Sequence, residues 1–340
     1  MQVVIRICTV IIGTIIGAGY ISGQEIYSFF NKYGNSGKIG IIISIGIISI
    51  AIYKTYIISK KYNIKNYEEL LEKIIPYNNK ILIYTIKNII NIFLIISFFI
   101  MCSAFSTYCL ETYNLPKIIG GAIISLLSYL IINNNVKIII KINEILMPAI
   151  IIFIIIMGAI TINRINNITI TTEIMPIMSG ILYANYNSIV LLPMLITLTK
   201  QIENKKQIKL ISIFSFIFML ILTILIYEMQ KNIDIQKVQM PMLEIAKSIS
   251  PVFLKIYGIM TGIAIFTSAI SAGYSLIFNL ENKKKKIIAI SLCIIAIPVS
   301  CIQFSTLVNL MYPIFRNIRN ITNNFFVKNL KKSEIIDITK

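Results

Sequence analysis

Gly13-Thr14-Ile15-Ile16-Gly17-Ala18-Gly19-Tyr20-Ile21-Ser22-Gly23-Gln24-Glu25 interrupts an apolar run that extends from Val3 to Phe30. A glycine costs a helix about 1 kcal/mol relative to alanine, and a carboxylate inside a bilayer costs at least a few kcal/mol more. A close-packing GxxxG face accounts for Gly13 and Gly17, but it leaves Gly19, Gly23 and Glu25 unexplained. An unwound segment accounts for all of them, because freed carbonyl and N–H groups then need polar partners such as a solute or an ion. The stretch reads as a membrane helix broken near its middle.

The rest of the chain supplies the membrane. Of its 340 residues 56% are hydrophobic and only 14% charged, where a soluble domain carries about 25%. The mean hydropathy is +0.81. These values describe an all-α polytopic membrane protein. There is no histidine, which excludes His triads, His metal sites and His proton shuttles. Tryptophan is absent as well, so Tyr and Phe must form any interfacial belt. The five cysteines, Cys8, Cys102, Cys109, Cys293 and Cys301, form no CxxC pair and read as small hydrophobes. Ile, Lys and Asn are abundant enough to reflect a nucleotide bias of the source genome, so a single Asn carries little signal. The net charge of +18 comes from bases that alternate with apolar spans. That pattern indicates a lipid bilayer as partner and no nucleic acid. The first apolar run lacks an A-x-A cleavage site and is expected to be retained.

A bilayer core requires about 20 apolar residues per helix. Ten spans emerge: Val3 to Phe30, Ile39 to Ser59, Ile81 to Leu110, Ile118 to Ile132, Ile138 to Ile160, Ile174 to Leu198, Ile208 to Tyr227, Pro251 to Leu280, Ile287 to Ile302 and Leu307 to Val327. With the amino terminus in the cytoplasm, 24 Lys and Arg fall inside and 8 outside. That bias fits ten spans with both termini cytoplasmic, in a multi-pass protein of a bacterial plasma membrane. The run Lys283 to Lys286 reads as a topology anchor, and Lys60 to Lys80 as an amphipathic cytoplasmic helix. One transmembrane domain is expected over 1–330, with repeats at about 1–160 and 172–328, followed by a tail at 331–340.

Five spans after the first, the sixth contains Ser179-Gly180-Ile181-Leu182-Tyr183-Ala184-Asn185-Tyr186-Asn187-Ser188, flanked by Pro176 and Pro193. It reads either as polar glue between helices or as a second broken helix. Breaks in spans one and six are what two inverted five-helix repeats would place together at the midplane. In the eighth span Ala264, Thr267, Ser268 and Ser271 share one helical face. Their oxygens suit a hard cation such as sodium, although Ser and Thr also bond their own helix backbone.

The stretch GTIIGAGYISGQEI, with Phe29-Phe30 and Tyr33-Gly34, resembles the YkvI-type family of bacterial membrane proteins. The resemblance implies the amino acid–polyamine–organocation (APC) superfamily and the LeuT fold: about ten helices in a 5+5 inverted repeat with helices 1 and 6 broken. It further implies a sodium site formed by the Gly13, Ile16 and Ala264 carbonyls with the Thr267 and Ser268 hydroxyls. Tyr20 stands where the sodium symporters place the asparagine of a second sodium site, and Glu25 has no counterpart in them.

The expected function is secondary active transport of a small organic solute, an amino acid or related zwitterion, by alternating access with sodium coupling and without another cofactor. Solute contacts fall on Gly17, Gly19, Tyr20, Ser22, Gly23, Tyr183, Asn185 and Asn187, with Glu25 at the outer vestibule as gate or proton site. Lys141 and Glu144 are shallower proton candidates. The alternative is a solute sensor resembling the spore-germination permease-like receptor subunits. An enzyme is not expected, since the chain offers no His, no CxxC and no carboxylate pair within one span.

Overall fold

The computed structural model describes residues 1–75, 80–132, 136–162, 174–232, 238, 240–278, 282–304, 306 and 307. Among them there is no strand. Inside a bilayer every backbone N–H and C=O must be satisfied within the chain, and helices do this locally. The first span is divided into α1 (Gln2–Ile15), α2 (Ala18–Ile21) and α3 (Gln24–Phe29). A 3-10 segment, Asn31–Ser36, leads into α4 (Gly37–Tyr62), which is the second span. The stretches expected as spans three to five form α6 (Lys80–Tyr113), α7 (Lys117–Ile132) and α8 (Val136–Thr161), preceded by the short α5 (Tyr67–Ile74). The stretches expected as spans six to nine form α9 (Ile174–Thr199), α10 (Lys205–Met229), α12 (Pro251–Phe278) and α13 (Asn282–Val299). Before α12 comes α11 (Pro241–Ile249). The expected tenth span, the tail at 331–340 and Arg164 lie outside the described residues.

Six described helices, α4, α6, α8, α9, α10 and α12, are long and apolar enough to cross a membrane. By itself α1 rises only roughly 21 Å, short of the ~30 Å hydrocarbon core. The amphipathic α5 begins on Asn66, whose side chain accepts from the Glu69 amide at 2.9 Å, while Glu69 reaches back to the Lys65 amide at 2.8 Å. This reciprocal cap explains why a charged eight-residue segment is helical there.

Every residue from Ile7 to Ile26 is buried. A lipid-facing helix would expose one side, so the broken first span occupies the middle of the bundle. Around it stand α8, α9, α10 and α12, while α4 packs on α9 and α10 and α6 packs on α12 and α7.

The sixth span corrects an expectation. It is one unbroken helix from Ile174 to Thr199, not a second interrupted one. Gly180 is used for packing: a Cβ there would meet the backbone of Gly40 on α4, its Cα at 2.9 Å. Pro176 falls in the first turn, where a missing N–H breaks no helical bond. The Asn187 side chain donates to the Tyr183 carbonyl of its own helix at 3.0 Å. Glycine, prolines and asparagine are thus absorbed without unwinding.

Candidate functional site

Helix α1 stops at Ile16, which has φ −71° and ψ 69°. Gly17 is then extended, with φ −83° and ψ −171°. The Gly17 N–H donates to Ile15 O at 2.7 Å, and the Ala18 N–H reaches only the Met101 thioether, at 3.3 Å. In a continuous helix these two donors would serve the carbonyls of Gly13 and Thr14. Those carbonyls are released instead. A second break follows at Gly23, whose φ of +83° is a left-handed conformation that favours glycine.

The carbonyls of this second break are claimed by three separate elements. Tyr257 Oη on α12 donates to Ile21 O at 2.7 Å. The Met242 amide on α11 donates to Ser22 O at 2.9 Å. Gln230 Nε2, just past α10, donates to Gly23 O at 2.8 Å. Ser22 Oγ folds back to Gly19 O at 3.2 Å, and Tyr20 Oη shares a hydrogen bond with Thr223 Oγ1 at 2.9 Å. Sequence reasoning singled out Ser22 and Tyr20 but missed Tyr257, Met242 and Gln230, because nothing local marks a residue that reaches another helix's break.

Glu25 turns inward and is 3% exposed. Its Oε1 accepts from Tyr186 Oη on α9 at 3.2 Å. Its Oε2 is buried with no hydrogen-bond partner among the described residues. The carboxylate lies directly over Gly19, where a Cβ would overlap it. Around this group the Tyr183 ring meets Phe29 and Phe30 edge-on, both at 5.1 Å, and Tyr186 meets Phe93 edge-on at 5.3 Å. Tyr183, Tyr186 and Asn187 are buried, while Asn185 is only half-buried. Two residues from Tyr183, Asn185 lies roughly 200° around the helix and is not brought beside it. Tyr186, part of the quoted sixth-span stretch but not among the expected solute contacts, is the residue that reaches the carboxylate.

On α12 the hydroxyls bond their own helix backbone. Thr267 Oγ1 and Ser268 Oγ donate to Ala264 O at 3.1 and 2.8 Å, and Ser271 Oγ donates to Thr267 O at 2.8 Å. Ser268 Oγ also lies 3.5 Å from Ile16 O, across the first break. A hydroxyl that donates to its own helix keeps its lone pairs available. At the first break Ile16 O therefore faces a hydroxyl oxygen of α12, and oxygens of this kind suit a hard cation. Among the described residues no group of three or more Cys, Asp or Glu is placed to hold a metal ion.

The other titratable candidates lie at the ends of the bundle. Glu144 pairs with Arg6 near the start of α1, and Lys141 is exposed. Toward the opposite end, Lys38 pairs with Glu228 at 2.8 Å with side chains only 4% and 2% exposed, and Lys231 adds a second contact at 2.8 Å.

No family model matches the chain. It is similar to two proteins of Bacillus subtilis (strain 168). One, named uncharacterized membrane protein YkvI, is 26% identical over 328 residues, covering 91% of each chain. The other, named uncharacterized protein YyaD, is 24% identical over 320 residues, covering 90% of each. Together with the apolar helices these likenesses make the chain a multi-pass helical membrane protein.

Proposed function

We propose that this protein is a secondary active transporter of a small organic solute, an amino acid or related zwitterion, working by alternating access with sodium as coupling ion. The observation that carries this reading is the first span: buried from Ile7 to Ile26, broken twice, and holding a carboxylate oxygen of Glu25 with no partner among the described residues. Unsatisfied polar groups at the centre of a bundle are expensive unless a ligand completes them. The free oxygen of Glu25 suits the solute's ammonium group, with Tyr183 and Tyr186 beside it. The Ala18 N–H, held only by a thioether, a weak acceptor, suits the solute's carboxylate. Sodium falls between the carbonyls of Gly13 and Ile16 and the Ala264, Thr267 and Ser268 oxygens.

The frame we infer is the LeuT-type five-plus-five arrangement with only the first helix interrupted, in a bacterial plasma membrane with both termini cytoplasmic. Packing supports it. Advancing each helix by five spans turns the α6–α7 contact into α12–α13 and the α7–α12 contact into α13–α6, and both occur. The pairs α4–α10, α6–α12 and α7–α13 map onto themselves and also occur. In alternating access, the three bonds from α12, α11 and Gln230 to the second break must loosen for solute to enter from that end. A cation bridging α1 and α12 biases the same motion, so the two ligands share a coupling free energy.

The test is uptake by proteoliposomes of the purified chain, using a panel of radiolabelled amino acids with and without an inward sodium gradient. Sodium-stimulated uptake is expected. Uptake that follows a pH gradient and ignores sodium would transfer coupling to Glu25. Solute binding with no flux under any gradient would replace the transporter by a sensor.

A further inference from the structure

Asn143 on α8 is completely buried, and neither its carboxamide oxygen nor its nitrogen has a hydrogen-bond partner among the described residues. A buried amide left unpaired costs about 1–3 kcal/mol per group, so this position calls for a ligand. Its location is specific. A Cβ at Gly13 would sit 3.0 Å from Asn143 Cγ and 2.9 Å from Met147 Cγ. Gly13 thus leaves room for the Asn143 amide against the α1 backbone, one turn before the break and beside the released Gly13 carbonyl.

The register of α8 against α12 brings in the hydroxyl stripe. Phe153 stacks on Tyr257 at 5.9 Å and touches Phe253 at 5.1 Å. The two helices run antiparallel. Ten residues further along both, roughly 15 Å at helical rise, this register carries Asn143 toward the part of α12 that holds Ala264, Thr267 and Ser268. Asn143 lies against Gly13, and Ser268 Oγ comes within 3.6 Å of a Cβ at Gly17, so the amide and the α12 hydroxyls approach α1 from two further helices about one turn apart.

We propose that the Asn143 carboxamide oxygen is a ligand of the coupling cation, contributed by the fifth span, with its N–H group turned to a released α1 carbonyl. The assignment rests on the sodium site inferred above and extends it from two helices to three. A third helix gives the ion a hold on α8 as well as α1 and α12, so its departure frees three elements at once.

The experiment measures sodium-22 binding to the purified full chain in lipid nanodiscs, without solute, for the wild type, Asn143→Leu, Asn143→Asp and Thr267→Val. Loss of one charge-assisted contact predicts affinity about tenfold weaker in Asn143→Leu. Asn143→Asp, which keeps the oxygen and adds charge, should bind sodium at least as tightly as the wild type. This second variant remains decisive if the leucine variant fails to fold: weaker binding by Asn143→Asp overturns the proposal. If Thr267→Val weakens binding while Asn143→Leu leaves it unchanged, the two-helix site stands and the Asn143 assignment falls. If the wild type binds no sodium, both fall together.

Discussion

Gly19 shows how one missing methyl group shapes the site. Its Cα faces the Glu25 carboxylate so closely that a Cβ would overlap the carboxyl group, and Glu25 is packed under Tyr186 on the other side. Gly19→Ala must therefore expel the carboxylate or shift the α2 backbone. Overpacking of this kind costs about 1–3 kcal/mol. Removing the carboxylate first makes room for the methyl group, so the penalty should vanish in a Glu25→Ala background. Thermal melts of the two single variants and the double variant check this. Additive destabilisation would show that Glu25 does not rest on Gly19, whereas a coupling energy of about 1 kcal/mol or more is expected. Glu25 was legible in the sequence as a misplaced charge. Tyr186 and Asn143 were not: one tyrosine among 18 carries no local signal, and in an Asn-rich chain a buried asparagine looks like its exposed counterparts. Only their tertiary surroundings distinguish them.

Single helices explain why the first break was readable and the supposed second was not a break. Gly13, Gly17, Gly19 and Gly23 crowd a short stretch together with a carboxylate, and no packing face absorbs them all. Gly180, Asn185 and Asn187 invited the same reading, yet the sixth span holds its helix because each has a local use or none that disturbs it. Gly180 lies against Gly40, and Asn187 bonds its own backbone. Sequence alone could not separate a glycine for unwinding from a glycine for close approach, since both appear as one glycine in an apolar run. Substitution separates them. Gly180→Ala would push its methyl into the α4 backbone, which cannot rotate away as a side chain does, and should destabilise the α4–α9 pair by about 1–3 kcal/mol. Gly46→Ala, also on α4, meets nothing within 4 Å and should be neutral or slightly stabilising. Melting temperatures of the two variants in detergent test the contrast; equal losses would mean that close packing at Gly180 is not special.

Across the molecule, charge works at the two ends in different ways. The pair Lys38 and Glu228 ties α4 to α10 near the Gln230 bond that holds Gly23, and it is nearly sealed from solvent. Breaking a buried pair by removing one partner is costly because the other charge is left without compensation. The cost should be unequal here. Lys38→Met leaves Glu228 its contact with Lys231, whereas Glu228→Gln removes the charge that both ion pairs share. Glu228→Gln should therefore lower stability by about 3 kcal/mol or more, and Lys38→Met by clearly less. Melting temperatures decide, and the reverse order would mean that Lys231 does not share the carboxylate. Lys38 and Lys231 fall on the outer side of the base count, and their ion pairs with Glu228 account for two of the eight that depart from the inside bias.

The same tally fixes the last expectation, the orientation of the bundle in the membrane. Arg6 pairs with Glu144, and Lys60 donates to Ile202 O at 2.6 Å, so the starts of α1 and α8 and the end of α4 gather at one end. Helix α11, with Lys247 exposed, lies toward the other, over the second break. The inside bias of 24 bases to 8 predicts α11 outside the cell and Lys286, in the basic run opening α13, in the cytoplasm. A maleimide that does not cross membranes should label Lys247→Cys in intact cells and spare Lys286→Cys until the cells are permeabilised. The background needs Cys301 replaced, because it is exposed while the other four native cysteines are buried. External labelling at position 286 without labelling at 247 would invert the molecule. The end closed by Tyr257, Met242 and Gln230 would then face the cytoplasm, and the direction in which solute first meets the broken helix would reverse with it.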